Sequence, residues 1–114
     1  MKQELKVNLK KIDNFFIELG LKRKINKKQT TYYDEFGAVV MLKVRDNKVI
    51  LSFARGVKLQ NKFSNLKGNG KIVRYLEFEN IVDINREKLK KMIKESYILG
   101  IESYERKKQI NFLK

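Results

Sequence analysis

The residues most suggestive of chemistry are the loop Gly68-Asn69-Gly70-Lys71 and the nearby Arg74. Glycines followed by a lysine can hold a phosphate group, because they let backbone amides approach the anion closely. A nucleotide-binding P-loop also requires Ser or Thr after the lysine and a helix that begins there. Here Lys71 is followed by Ile72-Val73, a β-branched pair typical of a strand. The sequence therefore predicts a turn between strands and not a nucleotide site.

The chain contains neither histidine nor cysteine. This composition excludes Ser-His-Asp and Cys-His nucleophile systems, and zinc sites built from the usual nitrogen and sulfur ligands. Acid–base catalysis would depend on Asp, Glu, Lys or Tyr. Glu77 and Glu79 share one face of a predicted strand, but carboxylates spaced in this way more often pair with lysine. We therefore expect a non-enzymatic protein without a cofactor.

Basic residues outnumber acidic residues by 27 to 13, which gives a formal net charge of +14. A field of this sign attracts nucleic acid, an anionic membrane or acidic proteins. The alternative is that the lysines reflect an A/T-biased genome and cover solvated faces. The excess is spread along the whole chain and does not form a basic tail, so we expect it to belong to the folded body.

The length of 114 residues is that of one domain with a modest core. The longest unbroken apolar run, Ala38–Leu42, is far shorter than the roughly 20 residues of a membrane span. The segment that begins at Met1 lacks the apolar region of a secretory signal. We therefore expect a single domain over residues 1–114, a cytoplasmic location and no membrane partner.

Two amphipathic helices are predicted near the ends of the chain. Apolar residues at helical spacing in the first are Leu5, Leu9, Ile12, Phe16 and Leu19. Gly20 is a stop signal, and residues 21–29 are interpreted as a basic connector. Asn85 can cap the second helix, which we expect to continue past Gly100. Its predicted buried stripe consists of Leu89, Met92, Ile93 and Ser96.

A β-hairpin is predicted around Asp46-Asn47, because Asn tolerates the positive φ that a two-residue turn requires. This turn pairs Val44 with Val49, Leu42 with Leu51, and Val40 with Phe53, all apolar and all on one face. The opposite face carries Val39, Met41, Lys43, Arg45, Lys48, Ile50 and Ser52. Its apolar members could become buried in a homo-oligomer. A third strand is predicted over residues 71–79, with Ile72, Arg74, Leu76 and Phe78 facing inward.

The order of several residues resembles the YdhG-like family, a domain of unknown function. The matching residues are Phe53, Gly56, Leu59, Leu66, Gly68, Gly70, Lys71, Arg74, Asp83 and Ile84, and the resemblance covers residues 31–96. It implies a small α+β fold similar to frataxin, with N- and C-terminal helices packed on one face of an antiparallel sheet. A member of this family has been linked to iron handling. This chain departs from the pattern because it lacks proline and an acidic ridge.

The charge and the resemblance lead to two functional hypotheses. The first is an anionic partner such as nucleic acid, bound through a basic face formed by Lys43, Arg45, Lys48, Arg55, Lys71 and Arg74. Tyr32, Tyr33 or Tyr75 could stack on bases if they are exposed. The alternative is iron handling by analogy with frataxin, with Asp34, Glu35 and Asp46 as the nearest group of carboxylates. A structural or protein-interaction role is a third possibility.

Overall fold

A five-stranded antiparallel sheet and two long helices make up the computed structural model, which describes residues 3–79 and 83–113. The elements are α1 (Gln3–Glu18), β1 (Lys22–Ile25), β2 (Thr30–Asp34), β3 (Gly37–Arg45), β4 (Lys48–Phe53), the short α2 (Gly56–Leu59), β5 (Arg74–Phe78) and α3 (Arg86–Leu113). The strands lie in the order β1-β2-β3-β4-β5. Within the described ranges, no helix has both the length and the apolar character that a membrane span requires.

Both long helices pack on the same face of the sheet, which confirms the predicted α+β architecture. Phe16 of α1 and Met92 of α3 join Tyr32, Leu51 and Phe53 in one buried cluster. All five of these side chains have a relative exposure of 0%. The single core therefore lies between the sheet and the helices, where burial of apolar area stabilises the fold.

The hairpin prediction is confirmed residue by residue. Asp46 and Asn47 both have positive φ, at 53° and 62°, as a type I′ turn requires. The observed register pairs Val40 with Phe53, Leu42 with Leu51, and Val44 with Val49. The apolar pattern and the turn chemistry specify the same register, so β3 and β4 provide a well-determined platform for the rest of the sheet.

The first helix ends as its sequence predicts. Ile12 and Phe16 are buried, and Leu5, Leu9 and Leu19 pack partly against the core. Gly20 has φ +91°, and the amide of Leu21 donates to the carbonyl of Phe16 at 3.2 Å. This arrangement is the glycine-terminated C-cap that satisfies carbonyls of the last turn, and it directs the chain into β1.

The last helix is capped by Asn85, whose Oδ1 accepts a hydrogen bond from the amide of Lys88 at 3.0 Å. The predicted stripe of Leu89, Met92, Ile93 and Ser96 is buried. The helix continues through Gly100 to give 28 residues, or about 42 Å at 1.5 Å per residue. Most residues after Gly100 are exposed, because this part of α3 extends beyond the packed core.

Several predictions for the sheet were wrong. Residues 21–29 are not only a connector, because Lys22–Ile25 form the edge strand β1 and pair with Thr30–Tyr33 of β2. The third predicted strand begins at Arg74 and not at Lys71, and Ile72 is 66% exposed instead of inward. The sequence of β1 does not alternate between apolar and polar residues, because all four of its residues are exposed.

The outer face of the hairpin also differs from the prediction. Val39 is the extra residue of a β-bulge, because the pairing shifts between Tyr32 and Tyr33, and its side chain is buried in the core. Ile50 lies between Lys43 and Glu77 of the neighbouring strands and is only 7% exposed. These two residues therefore offer no exposed apolar surface to a second copy of the chain.

Gly56 allows the chain to cross closely over β5. A Cβ atom at this position would overlap the backbone nitrogen of Arg74 and would lie 2.8 Å from its Cα. The neighbouring amide of Val57 donates to the carbonyl of Ile72 at 3.0 Å, which holds the two segments together. Any side chain at Gly56 would force the start of α2 away from the sheet.

We predict that Gly56→Ala lowers the free energy of unfolding by about 3 kcal/mol, because overpacking against backbone atoms cannot be relieved by a rotamer change. Urea denaturation would measure the change. The matched control is Gly70→Ala, whose added Cβ would contact only the carbonyl of Val73 at 3.5 Å. The control should change stability by less than about 0.5 kcal/mol, and equal effects of the two substitutions would contradict this account.

Candidate functional site

Arg55 lies on the helix side of the sheet and not with the basic residues of the hairpin. Its guanidinium forms two hydrogen bonds with Asp34, from Nη1 to Oδ2 at 2.8 Å and from Nη2 to Oδ1 at 3.2 Å. Nη1 also donates to the backbone carbonyl of Ser96 at 2.9 Å. The Arg55 and Asp34 side chains are only 17% and 8% exposed. This internal ion pair leaves Arg55 no free charge for an external anion.

Gly100 makes room for this ion pair against the last helix. A Cβ atom at Gly100 would lie 3.1 Å from Cζ of Arg55 and 3.0 Å from Cβ of Phe36. The amide of Phe36 donates to Oδ1 of Asp34 at 2.8 Å, so the turn after β2 is fastened to the same carboxylate. Arg55 therefore joins the ends of β2 and β4 to the middle of α3.

Arg74 is also engaged within the protein. Its Nε donates to Oε1 of Gln60 at 3.1 Å, and its Nη1 donates to the carbonyls of Gly70 and Val73. Nε2 of Gln60 donates to the carbonyl of Leu66 at 2.9 Å. These contacts organise the segment between α2 and β5, which includes the glycine loop. The loop is followed by a strand, as expected for a connection between elements.

The remaining four residues of the predicted basic face are not equivalent. Lys48 lies 3.8 Å from a carboxylate oxygen of Glu77 and 3.6 Å from one of Glu79. Lys71 is exposed in the glycine loop, whereas Lys43 and Arg45 lie near the tip of β3. Lys43 and Arg45 are thus the two predicted residues that share one end of the sheet without an ion pair to a described carboxylate.

A groove at this end of the sheet brings together basic residues from α1, β1 and the β1–β2 turn, beside the segment of β3 that carries Lys43 on its opposite face. We call it the basic groove, and its volume is about 500 Å³. It lies between α1, the β1–β2 turn and the end of β3. Its lining consists of Leu9, Lys10, Asp13, Arg23, residues 25–30, Tyr32 and residues 42–44. The basic members are Lys10, Arg23, Lys27, Lys28 and Lys43.

The β1–β2 turn is built by Asn26. Its Oδ1 accepts hydrogen bonds from the amides of Lys28 and Gln29, both at 2.9 Å, and its own amide donates to the carbonyl of Gln29 at 3.0 Å. An asparagine that bonds to the backbone ahead of it is a common way to form a tight turn. The turn holds the exposed Lys27 and Lys28 at the rim of the basic groove.

The acidic residue of the basic groove is already engaged. Oδ1 of Asp13 accepts a hydrogen bond from the hydroxyl of Tyr32 at 2.6 Å, and Oδ2 forms an ion pair with Arg23. Tyr32 is fully buried, so it does not meet the condition of exposure under which it could stack on bases. Burial and the bond to Asp13 raise the pKa of the Tyr32 phenol well above its ordinary value of 10. The carboxylate therefore does not neutralise the surrounding lysines.

The carboxylates considered for iron are held in different places. Asp34 is bound by Arg55, and Glu35 accepts a hydrogen bond from the hydroxyl of Tyr97. Asp46 follows the nine-residue strand β3, which separates it from the β2–β3 turn by about 30 Å at 3.4 Å per residue. Among residues 3–79 and 83–113, no group of three or more His, Cys, Asp or Glu side chains is arranged to hold a metal ion.

Sequence reasoning missed Lys10, Lys27 and Lys28 as members of a site. The available signal was the run Lys22-Arg23-Lys24 followed by Lys27-Lys28, which was interpreted as a solvated connector. Only the pairing of β1 with β2 reveals that this run turns back beside α1. The convergence of these charges depends on β1. This strand was not predicted, because all of its residues are exposed and show no apolar alternation.

We predict that Arg55→Met lowers the free energy of unfolding by about 3 kcal/mol, because it leaves Asp34 as an uncompensated buried charge. The measurement is urea denaturation at neutral pH. Lys62→Met is the matched control, since Lys62 pairs with Glu95 at 3.0 Å but is 64% exposed. The control should cost less than about 1 kcal/mol. A similar cost for both substitutions would show that the Arg55 pair has no special role.

The raised pKa of Tyr32 predicts a loss of stability in alkaline solution. Above about pH 10 the unfolded chain releases the phenolic proton while the folded chain keeps it, so folding becomes less favourable as pH rises. Tyr32→Phe removes this proton. The variant should therefore lose stability less steeply than the wild type between about pH 10 and 11, by up to about 1.4 kcal/mol per pH unit. If urea denaturation shows that the free energies of unfolding of the two proteins fall equally with pH across this interval, the prediction is wrong.

Comparison of the chain with family models, with curated proteins and with solved structures finds no match.

Proposed function

We propose that this protein binds a polyanion, with nucleic acid as the partner, through the basic groove. The observation that carries this proposal is the convergence of Lys10, Lys27 and Lys28 around a carboxylate that Arg23 and Tyr32 already occupy, with Lys43 on the opposite face of the same end of the sheet. None of these four lysines forms an ion pair with a carboxylate in the described ranges.

The chemistry of the basic groove favours contact with phosphates. Lysine is a strongly hydrated point charge on a flexible stem, which can follow a phosphate backbone but cannot form the planar pairs by which arginine reads bases. Arg45 lies beyond Lys43 on the same strand and extends the positive surface toward the hairpin tip. We therefore expect binding that depends strongly on salt and weakly on base sequence.

The proposed surface keeps some residues of the predicted basic face, excludes others and adds three lysines. It keeps Lys43 and Arg45 but excludes Lys48, Arg55 and Arg74, because glutamates, Asp34 and the glycine loop engage them. Lys71 lies on the exposed glycine loop, which is not part of the groove lining. The lysines added are Lys10, Lys27 and Lys28.

We also propose that this chain is a YdhG-like domain. In this proposal the protein is not an enzyme, and it acts in the cytoplasm. The support is that residues of the shared pattern have identifiable physical roles in this chain. Gly56 permits the close crossing over β5, and Arg74 bonds to the carbonyl of Gly70 in the glycine loop. The antiparallel sheet with terminal helices on one face is the arrangement that the resemblance implies.

The proposal is tested by fluorescence anisotropy with labelled single-stranded and duplex nucleic acid at about 50 and 200 mM salt. We expect affinity to fall by at least about tenfold between these conditions if several phosphates are bound. The triple variant Lys10→Gln/Lys27→Gln/Lys28→Gln should bind more weakly, and its salt dependence should be less steep by about one unit for each phosphate that the variant no longer binds.

The matched control for this variant is Lys58→Gln/Lys91→Gln/Lys108→Gln, which removes the same charge at exposed positions outside the basic groove. It should retain most of the affinity. If both variants lose affinity equally, the attraction is a property of the total charge and not of the groove. If the wild type does not bind at the lower salt concentration, the proposal is wrong.

A further inference from the structure

A second cavity lies at the opposite end of the sheet from the basic groove. It has a volume of about 590 Å³, within the range typical of small-molecule sites. We call it the α3 cavity, because α3 forms one wall and the α1–β1 turn and the end of β2 form the other. Its lining consists of residues 19–22, residues 33–35, Lys90, Ile93, Lys94 and Tyr97. None of these residues lines the basic groove.

The interior of the α3 cavity is mainly apolar. Leu21 and Ile93 are each 7% exposed and belong to the buried core, and Leu19 packs against it. Tyr97 of α3 adds aromatic surface to the lining. Because core packing holds Leu21 and Ile93, this part of the wall is formed before any ligand arrives, and binding requires little reorganisation.

Two lysines of α3 flank this apolar interior. Lys90 and Lys94 are four residues apart and therefore on one face of the helix. Lys22 lines the cavity at the start of β1, but its side chain lies on the other face of the sheet, beside Tyr33. Lys90 and Lys94 are exposed, and neither forms an ion pair with a carboxylate in the part of the chain that the structure describes. Lysines four residues apart on a helix repel each other, so an anion held between them would relieve an unfavourable interaction.

Only one of the two carboxylates of the α3 cavity offsets this charge. Asp34 is neutralised by the two hydrogen bonds from Arg55, and Glu35 accepts a hydrogen bond from Tyr97. Glu35 is then the one acidic side chain in the lining without an arginine or lysine partner among the described residues, against Lys90 and Lys94. The α3 cavity thus combines an apolar interior with a positively charged rim.

We propose that the α3 cavity binds a small amphipathic anion, a fatty-acid carboxylate, with its head between Lys90 and Lys94 and its chain against Leu21 and Ile93. The apolar wall distinguishes this ligand from a phosphodiester chain, which is charged along its whole length. The inference rests on a different set of residues from the nucleic-acid proposal and does not depend on it.

Isothermal titration calorimetry with dodecanoate, kept below the concentration at which it forms micelles, tests the inference. We expect one molecule of dodecanoate to bind per protein chain. Dodecyltrimethylammonium has the same chain with a positive head and should not bind, and acetate has the same head without a chain and should not bind either. Dodecanoate should shift the amide signals of residues 19–22 and 33–35 in NMR spectra.

The double variant Lys90→Gln/Lys94→Gln should bind dodecanoate about tenfold more weakly, because it removes two exposed positive charges that attract the carboxylate. It should keep the affinity of the wild type for nucleic acid if the basic groove is the site of that activity. The control Lys58→Gln/Lys91→Gln/Lys108→Gln should bind dodecanoate as the wild type does. Absence of dodecanoate binding, equal binding of the cationic analogue, or equal weakening in both variants would each overturn the inference.

Discussion

The ion pair between Arg55 and Asp34 is the constraint on which the arrangement of this protein depends. It connects the end of β2 with the end of β4, and its bond to the carbonyl of Ser96 fixes the position of α3. Gly100 lies at the next turn of α3, where a Cβ atom would come within 3.1 Å of the guanidinium. One buried interaction therefore sets where the long helix crosses the sheet, and with it the wall of the α3 cavity. A buried pair of this kind contributes less to net stability than to the choice of one geometry.

Local patterns predicted the elements that they specify, but not the contacts between distant segments. The hairpin was predictable because the turn residues and three apolar pairs require the same register. The helix cap at Asn85 and the stop at Gly20 were predictable because each acts on its immediate neighbours. The partner of Arg55 lies 21 residues away in the chain, and the carbonyl of Ser96 lies 41 residues away. Spacing within a segment carries no information about such pairs.

The missed strand β1 illustrates a second limit, which is physical. An edge strand with all residues exposed needs no apolar alternation, and lysines at a sheet edge discourage pairing with other chains. The features that keep β1 from aggregating are therefore the same features that make it look like a loop. Because β1 was not predicted, the position of Lys27 and Lys28 beside α1 was not predicted either. The candidate site was thus less predictable than the fold, since it depends on the element with the weakest sequence signal.

A net charge of +14 does not by itself define a binding surface, because some of the basic side chains form ion pairs within the protein. Arg55 forms an ion pair with Asp34, Arg23 forms one with Asp13, and Lys48 lies beside two glutamates. The same contacts also remove carboxylates from their surroundings, and this second effect is the more important one for function. At one end of the sheet Asp13 is engaged, which leaves the lysines of the basic groove uncompensated. At the other end Asp34 is engaged, so that only Glu35 opposes the lysines of the α3 cavity. The distribution of internal ion pairs, and not the total charge, therefore determines where this protein can attract an anion.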